Sequence, residues 1–393
     1  MRWGKLTGLF VILFLSIVLA ACANDAPDQT SKPTENNGTD EGQETEEPAE
    51  PEKPETIHKK ISITAIGDML IHDRVYEDAK TKNGYDFRPM LNRVKPYLKN
   101  STITMANQET MIGGIELGLS SYPSFNSPYA VGDALKDAGV DVVTLANNHT
   151  LDRGEAAIQS AIKHWESIDM MYTGAFKNEA DSNRIRVYET DEGISTAFLA
   201  YTYGTNGIPV PTDKDYLVNL IDRGLMESEI QKAKKQADIV VLSMHFGDQY
   251  IRMPNDEQKA LVQFAADQGV DVVIGHHPHV LQPVDWVKGK HGNKTLVAYS
   301  LGNFLSGQDE FYRKIGGIFK FTVHKTIKGN QETVKIDSPK FMPTFVEYEN
   351  WSDFEVTPMF QLTNDELANA QQHYKEIKQH VSQWMPGLEF IEK

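Results

Sequence analysis

Eight residues able to hold a cation or carry a proton stand directly behind apolar, β-branched runs of this chain. Asp68 follows Ile61–Ile66, Asn107 and Glu109 follow Thr102–Ala106, and Asn148 and His149 follow Val140–Ala146. His245 follows Ile239–Met244, and His277 and His279 follow Val270–Ile274. In an open parallel sheet the carboxyl ends of the strands form one rim where ligands bind, so five strands deliver Asp, Glu, Asn or His to a shared site. Imidazole together with carboxylate suits a borderline divalent ion such as zinc, manganese or iron. The single cysteine excludes a thiolate zinc site and a disulfide framework. His277 and His279, two positions apart, are expected to point the same way so that both rings reach one ion, with His276 pointing elsewhere. Gly275 in front of them leaves room for a ligand to approach. No nucleophile elbow, phosphate-binding P-loop, H-E-x-x-H helix or G-x-G-x-x-G turn is present.

The elements that must position these residues read as an α/β fold. Thr196–Tyr201 and Thr295–Tyr299 join the five runs above, and several runs are apolar throughout, as strands covered on both faces must be. Helix-like segments lie between them at Val131–Ala138, Glu155–Ile168, Leu225–Ala237 and Asp256–Gln268. This alternation predicts parallel strands with helical crossovers. After Gly316 the pattern turns strand-rich, and a peripheral helix is expected over about Asp365–Val381. Asp137-Ala138-Gly139-Val140-Asp141-Val142-Val143 recurs as Asp267-Gln268-Gly269-Val270-Asp271-Val272-Val273, in each case a helix end, a glycine cap and a buried strand. Each copy runs on into a polar cluster, Asn147-Asn148-His149 in the first and His276-His277-Pro278-His279 in the second.

The N-terminus has a different character. Two positive charges, Arg2 and Lys5, precede an apolar run of 13 residues from Leu9 to Ala21, too short to span a bilayer as a helix. It ends in Leu19-Ala20-Ala21-Cys22, which resembles the lipobox of bacterial lipoproteins. Residues 1–22 are therefore expected to be a lipoprotein signal peptide, with Cys22 lipidated and the protein anchored on the extracytoplasmic face of the cell membrane. Residues 23–58 read as an acidic linker: eleven acidic side chains stand there against Lys32 and Lys53, with almost nothing apolar. Such a stretch cannot offset its chain entropy by burial and is expected to be disordered. A net charge of −16 over 393 residues argues against a nucleic-acid partner, whose phosphates need a basic face.

The motifs Gly67-Asp68, Asn107-Gln108-Glu109, Asn147-Asn148-His149 with Asp152 and Gly154, His245-Phe246-Gly247, Gly275-His276-His277-Pro278-His279-Val280 and Ser300-Leu301-Gly302-Asn303-Phe304 occur in that order. The series resembles the CapA family of capsule-synthesis proteins, which serve poly-gamma-glutamate production and are similar to calcineurin-like metallophosphatases. The resemblance covers about Ile61 to Phe304. It implies a four-layer α/β/β/α sandwich at 59–345 with a strand-rich C-terminal part, followed by an extension at 346–393. By motif matching it implies Asp68, Asn148, His245, His277 and His279 as ligands of a divalent metal, with Glu109 near the bridging place. His149 would be a general acid or a transition-state clamp, and Asn107, Asp152 and Asn303 further residues of the site. The sequence departs from the phosphatase pattern at Leu70, where a histidine is usual, and at Asn107-Gln108-Glu109, where an aspartate after a glycine is usual. A two-metal clamp therefore does not follow from the resemblance. Two functions remain open. One is an envelope-anchored accessory protein of poly-gamma-glutamate synthesis or export, partnered by the anionic polymer or by membrane-bound synthase subunits. The other is an extracytoplasmic metal-dependent hydrolase of a phosphoester or a gamma-glutamyl amide.

Overall fold

The computed structural model describes residues 55–393. The expected signal peptide, Cys22 and nearly all of the expected linker lie outside the described residues. From the first of them, β1 (Thr56–Leu70) leads through α1 (Asp73–Asp78), the hairpin β2 (Lys80–Thr81) and β3 (Gly84–Tyr85), and α2 (Lys95–Lys99) to β4 (Ile103–Gln108). Next come α3 (Ala130–Ala138), β5 (Val142–Thr144), α4 (Gly154–Ser167) and β6 (Met171–Thr173). After α5 (Glu179–Ser182) follow β7 (Arg186–Glu189), β8 (Ser195–Thr202), α6 (Arg223–Ala233), β9 (Ile239–His245), α7 (Asp256–Gln268) and β10 (Val272–His276). The rest supplies β11 (Val284–Lys288), β12 (Lys294–Ala298), β13 (Asn303–Ser306), β14 (Ile315–Lys328), β15 (Gln331–Glu349), β16 (Ser352–Pro358), α8 (Ala370–Val381) and β17 (Glu389–Phe390).

One sheet runs β16-β15-β14-β1-β4-β5-β6, with β13 beside β1 and β17 beside β15; a second runs β11-β12-β10-β9-β8-β7. Each has a parallel centre; antiparallel strands extend the first sheet on its β14 side and the second at both edges. Successive side chains of a strand face opposite ways, and the apolar pattern uses both faces. Ile63, Ala65, Ile103 and Met105 of the first sheet meet Val241, Val272 and Ile274 of the second in one core. The opposite faces carry helices. Ala106 and Val143 pack with Leu135 of α3 and Ile158 and Trp165 of α4. Leu199, Val240 and Val273 pack with Met226 and Ile230 of α6 and Leu261 of α7. At about 1.5–3 kcal/mol per large apolar side chain buried, these three interfaces hold the four layers α/β/β/α together, as the resemblance implied.

Three readings of the sequence are corrected. β1 begins at Thr56, inside the segment expected to be linker: Thr56–Lys60 is polar and gives no burial signal, yet it pairs antiparallel with Lys328–His324 of β14. β15 runs unbroken through the expected boundary at 345 and pairs with β16 beyond it. Nor is α8 peripheral, because Tyr374, Ile377 and Val381 form a stripe buried in the core between the sheets. No helix among the described residues is long and apolar enough to cross a membrane.

The duplicated heptapeptide is a joint. Gly139 (φ 91°) and Gly269 (φ 82°) end α3 and α7 in the left-handed conformation that glycine adopts without strain. Two residues on, the Asp141 carboxylate accepts the Thr104 N–H of β4 at 2.9 Å, and Asp271 accepts the Val240 N–H of β9 at 2.8 Å. Each aspartate seats the incoming strand on its neighbour and so fixes how far that strand carries its polar cluster towards the rim.

Candidate metal centre

Asp68, at the end of β1, stands opposite Asn107 of β4 and Asn303 of β13. The register shifts beside Gly67, where a Cβ would lie 2.2 Å from the Gly302 carbonyl oxygen, so only glycine admits the approach of the two chains. The Asp68 carboxylate is fully buried. Its Oδ1 accepts from Asn107 Nδ2 at 2.9 Å and meets His276 Nδ1 at 3.0 Å. Its Oδ2 meets His279 Nδ1 at 3.1 Å and the His277 backbone N–H at 3.4 Å. His276 therefore points at the site rather than away from it. β10 extends through His276, which pairs with His245 of β9.

After His276 the chain leaves extended geometry: His277 has φ 95° and His279 φ 56°. Left-handed backbone at non-glycine residues costs of order 1–3 kcal/mol and persists where the surroundings enforce it. Gly275 is part of that enforcement, since a Cβ there would sit 1.9 Å from the Tyr299 carbonyl oxygen. The turn separates the two rings expected to share one ion. His277 joins His245, with ring centroids 4.9 Å apart, while His279 lies against Asp68. Two buried donor groups result, Glu109–His245–His277 and Asp68–Glu109–His279, with the donor atoms of each group within 4.8 Å of one another. Glu109 belongs to both. His245 Nε2 and His279 Nε2 each lie 3.5 Å from its Oε1.

The remaining expected residues close around these groups. Asn148 Oδ1 lies 2.8 Å from His245 Nε2. His149 Nδ1 lies 2.7 Å from Asp152 Oδ2, which also accepts the Phe125 N–H at 2.8 Å. Since Asp152 can only accept when ionised, Nδ1 carries the proton and Nε2 is left for the pocket. Asn303 Oδ1 meets His279 Nδ1 at 3.1 Å while its Nδ2 donates to the Arg313 carbonyl at 2.8 Å. Three contributors besides His276 were not anticipated. Asn206 sits between Asn148 and His149, Tyr203 lies 4.6 Å from the His277 ring, and Tyr250 lies 6.1 Å from His279. Tyr203 and Asn206 lie in a loop that bears no motif, and only folding brings it here.

The electrostatics suit a cation. Burial drives His245 well below the usual imidazole range and His277 down to about 2, so both are neutral and offer a lone pair. Burial, aided by the Asp68 charge and opposed by His279, pushes Glu109 up to about 7. At Asp68 burial acts upwards, but the hydrogen bonds and charges of His276 and His279 outweigh it and hold the carboxyl well below its ordinary value. His279 is raised: burial works against its charge, and Glu109 and Asp68 overcome it. Both Glu109 oxygens, His245 Nδ1, His276 Nε2 and His277 Nδ1 are buried without a hydrogen-bond partner. Orphaned groups of this kind cost about 1–3 kcal/mol each, and a cation satisfies the carboxylate. The donor set is compatible with a divalent metal.

The model of the bacterial capsule synthesis protein family PGA_cap matches residues 62–308. The capsule biosynthesis protein CapA of Bacillus anthracis is 31% identical over 261 residues, 64% of this chain and 61% of that protein. The PGA biosynthesis protein CapA of Bacillus subtilis (strain 168) is 29% identical over 241 residues, 59% of each. The chain thus spans about three fifths of the length of these curated relatives. Among solved structures, one described as a 5'-nucleotidase of Staphylococcus aureus aligns with a TM-score of 0.43 at 15% identity, covering 80% of this chain and 58% of that one. A 5'-nucleotidase of Candida albicans aligns with a TM-score of 0.35 at 14% identity, covering 66% and 46%.

Proposed function

The chain belongs to the bacterial capsule synthesis family PGA_cap, and from that premise we propose that it is an envelope-anchored accessory protein of poly-gamma-glutamate synthesis or export. The observation that carries this reading is one of coincidence. Every site residue from Asp68 to Asn303 falls inside the matched residues 62–308, and five of them, Asp68, Glu109, His245, His277 and His279, make two groups able to hold a cation that share Glu109. Asp68, Glu109, Asn148, His245, His277 and His279 would hold the metal, and Asn107, His276 and Asn303 hold Asp68 and His279 in place. A divalent cation there supplies a positive centre that polarises the oxygen of an anionic group. The binding partner is the anionic polymer, the membrane-bound synthase subunits, or both. Lipidation at Cys22 keeps the domain at the extracytoplasmic face.

A second reading, a metal-dependent hydrolase of a phosphoester or gamma-glutamyl amide, is favoured by one observation. His149, held by Asp152 at 2.7 Å, has its other ring nitrogen free to give or take a proton beside the donor groups, the arrangement of an oriented acid–base residue.

The test is the double change His277→Ala, His279→Ala. The parent, purified under metal-replete conditions, is expected to hold a transition metal by elemental analysis. The variant should lose it while keeping its circular dichroism, and polymer output in cells should fall. A metal-free parent would reject the site. For the anchor, Cys22→Ser should release the protein from the membrane fraction, and equal retention would reject lipidation.

A further inference from the structure

Asn206 occupies an exposed loop after β8, in left-handed backbone at φ 50°, and it reaches inward to two residues of the site at once. Its Oδ1 accepts from Asn148 Nδ2 at 3.1 Å, and its Nδ2 lies 3.3 Å from His149 Nδ1. The first contact decides an orientation. A free asparagine amide presents either its oxygen or its nitrogen to a given neighbour at similar cost. With Asn206 Oδ1 accepting on one side, the Asn148 nitrogen is committed there and its oxygen is committed to the other, where it faces His245 Nε2 at 2.8 Å. Only the oxygen can ligate a cation. His149 Nδ1 carries the proton that goes to Asp152 at 2.7 Å and has no lone pair left, so the nearby Asn206 Nδ2 makes no hydrogen bond to it and the Asn148 contact is the one that counts.

The loop is built to hold that amide. The Ile208 N–H donates to the Thr205 carbonyl at 2.9 Å and the Thr205 hydroxyl donates to the Ile208 carbonyl at 2.5 Å, closing a tight turn around Asn206. Gly207 (φ 79°) continues the left-handed backbone. Asparagine tolerates this conformation better than most side chains. Tyr203 docks the start of the loop against the His277 ring.

We propose that Asn206 is a positioning residue of the metal centre, fixing the Asn148 amide with its oxygen towards His245 and so setting the affinity for a divalent cation. The inference rests on the metal reading of the site given above. Residues that orient metal ligands typically carry a 10- to 100-fold effect on affinity.

The experiment compares the full chain with Asn206→Gly, Asn206→Ala and Asn206→Asp, using Mn²⁺ alone as the probe in calorimetric titration. Glycine suits the backbone at φ 50° but lacks the amide, so N206G should bind Mn²⁺ about tenfold or more weakly, as should N206A. Aspartate keeps an oxygen that accepts from Asn148, so N206D should retain parental affinity or better. Parental affinity in N206G, or equal losses in N206D and N206G, would overturn the proposal. A second readout needs no metal. In asparagine-labelled protein the Asn148 side-chain amide should exchange slowly with solvent in the parent and N206D and quickly in N206G. An unchanged Asn148 amide in N206G overturns the proposal even if the parent takes up no Mn²⁺, an outcome that would count separately against the metal reading.

Discussion

Glu109 and His279 meet at 3.5 Å in a fully buried pocket, and neither oxygen of that carboxylate has a hydrogen-bond partner. Such a group destabilises the metal-free fold. Glu109→Gln removes the charge at constant shape. At pH 8, above the value of about 7 to which burial pushes Glu109, the metal-free variant should be more stable than the metal-free parent by about 1–3 kcal/mol. Since Glu109 belongs to both donor groups, the thermal upshift that the parent gains from Mn²⁺ should vanish. Thermal melts of both proteins with and without Mn²⁺ measure each effect; a retained upshift would remove Glu109 from the shared position.

Asp271 gives a pH signature remote from the donor groups. Burial raises it from 3.8 to about 6, and the Val240 N–H opposes the rise only in part. The folded state therefore binds the proton more tightly than the unfolded chain, so this contribution is intact below about pH 4 and falls as pH climbs through 6. Two pH units correspond to at most about 3 kcal/mol, less where solvent reaches the partly exposed side chain. Asp271→Asn keeps an oxygen for Val240 and cannot ionise. Denaturant titration should show Asp271→Asn gaining stability over the parent from pH 4 to pH 7.5, and a difference independent of pH would show that the carboxyl is not raised by burial.

Much of this architecture was legible in the chain, for a physical reason. Strands covered on both faces are apolar throughout, as Ile239–Met244 is, and their polar successors then mark the rim without any knowledge of pairing. What escaped was whatever depends on contacts distant in sequence. Period two turns His276 away from the side shared by His277 and His279, whereas β10 runs on through it and carries it onto Asp68. His277 and His279 were separated by left-handed backbone that no residue type announces. Asn206 is an ordinary loop asparagine until β8 and β5 lie in the same molecule's two stacked sheets. The start of β1 and the burial of α8 were hidden by polar sequence, Thr56–Lys60 in one case and the many glutamines and lysines of Ala370–Val381 in the other.

The choice between an accessory protein and a hydrolase turns on His149. It is bonded to Asp152 and lies outside both donor groups, so His149→Ala should leave metal content unchanged. Under the hydrolase reading the variant loses about 100- to 10,000-fold in turnover of a phosphodiester or a gamma-linked glutamate polymer, the usual worth of general acid–base help. Asp152→Asn, which accepts from His149 Nδ1 without a charge, should lose less than His149→Ala if orientation is its contribution. Under the accessory reading, favoured here because the family match spans the whole motif series, the parent turns over neither substrate. Polymer output in cells then survives His149→Ala yet falls with Asp68→Ala, which removes the carboxylate that His276 and His279 both grip. Robust phosphoester hydrolysis by the parent that disappears in His149→Ala would replace the accessory reading with the enzymatic one.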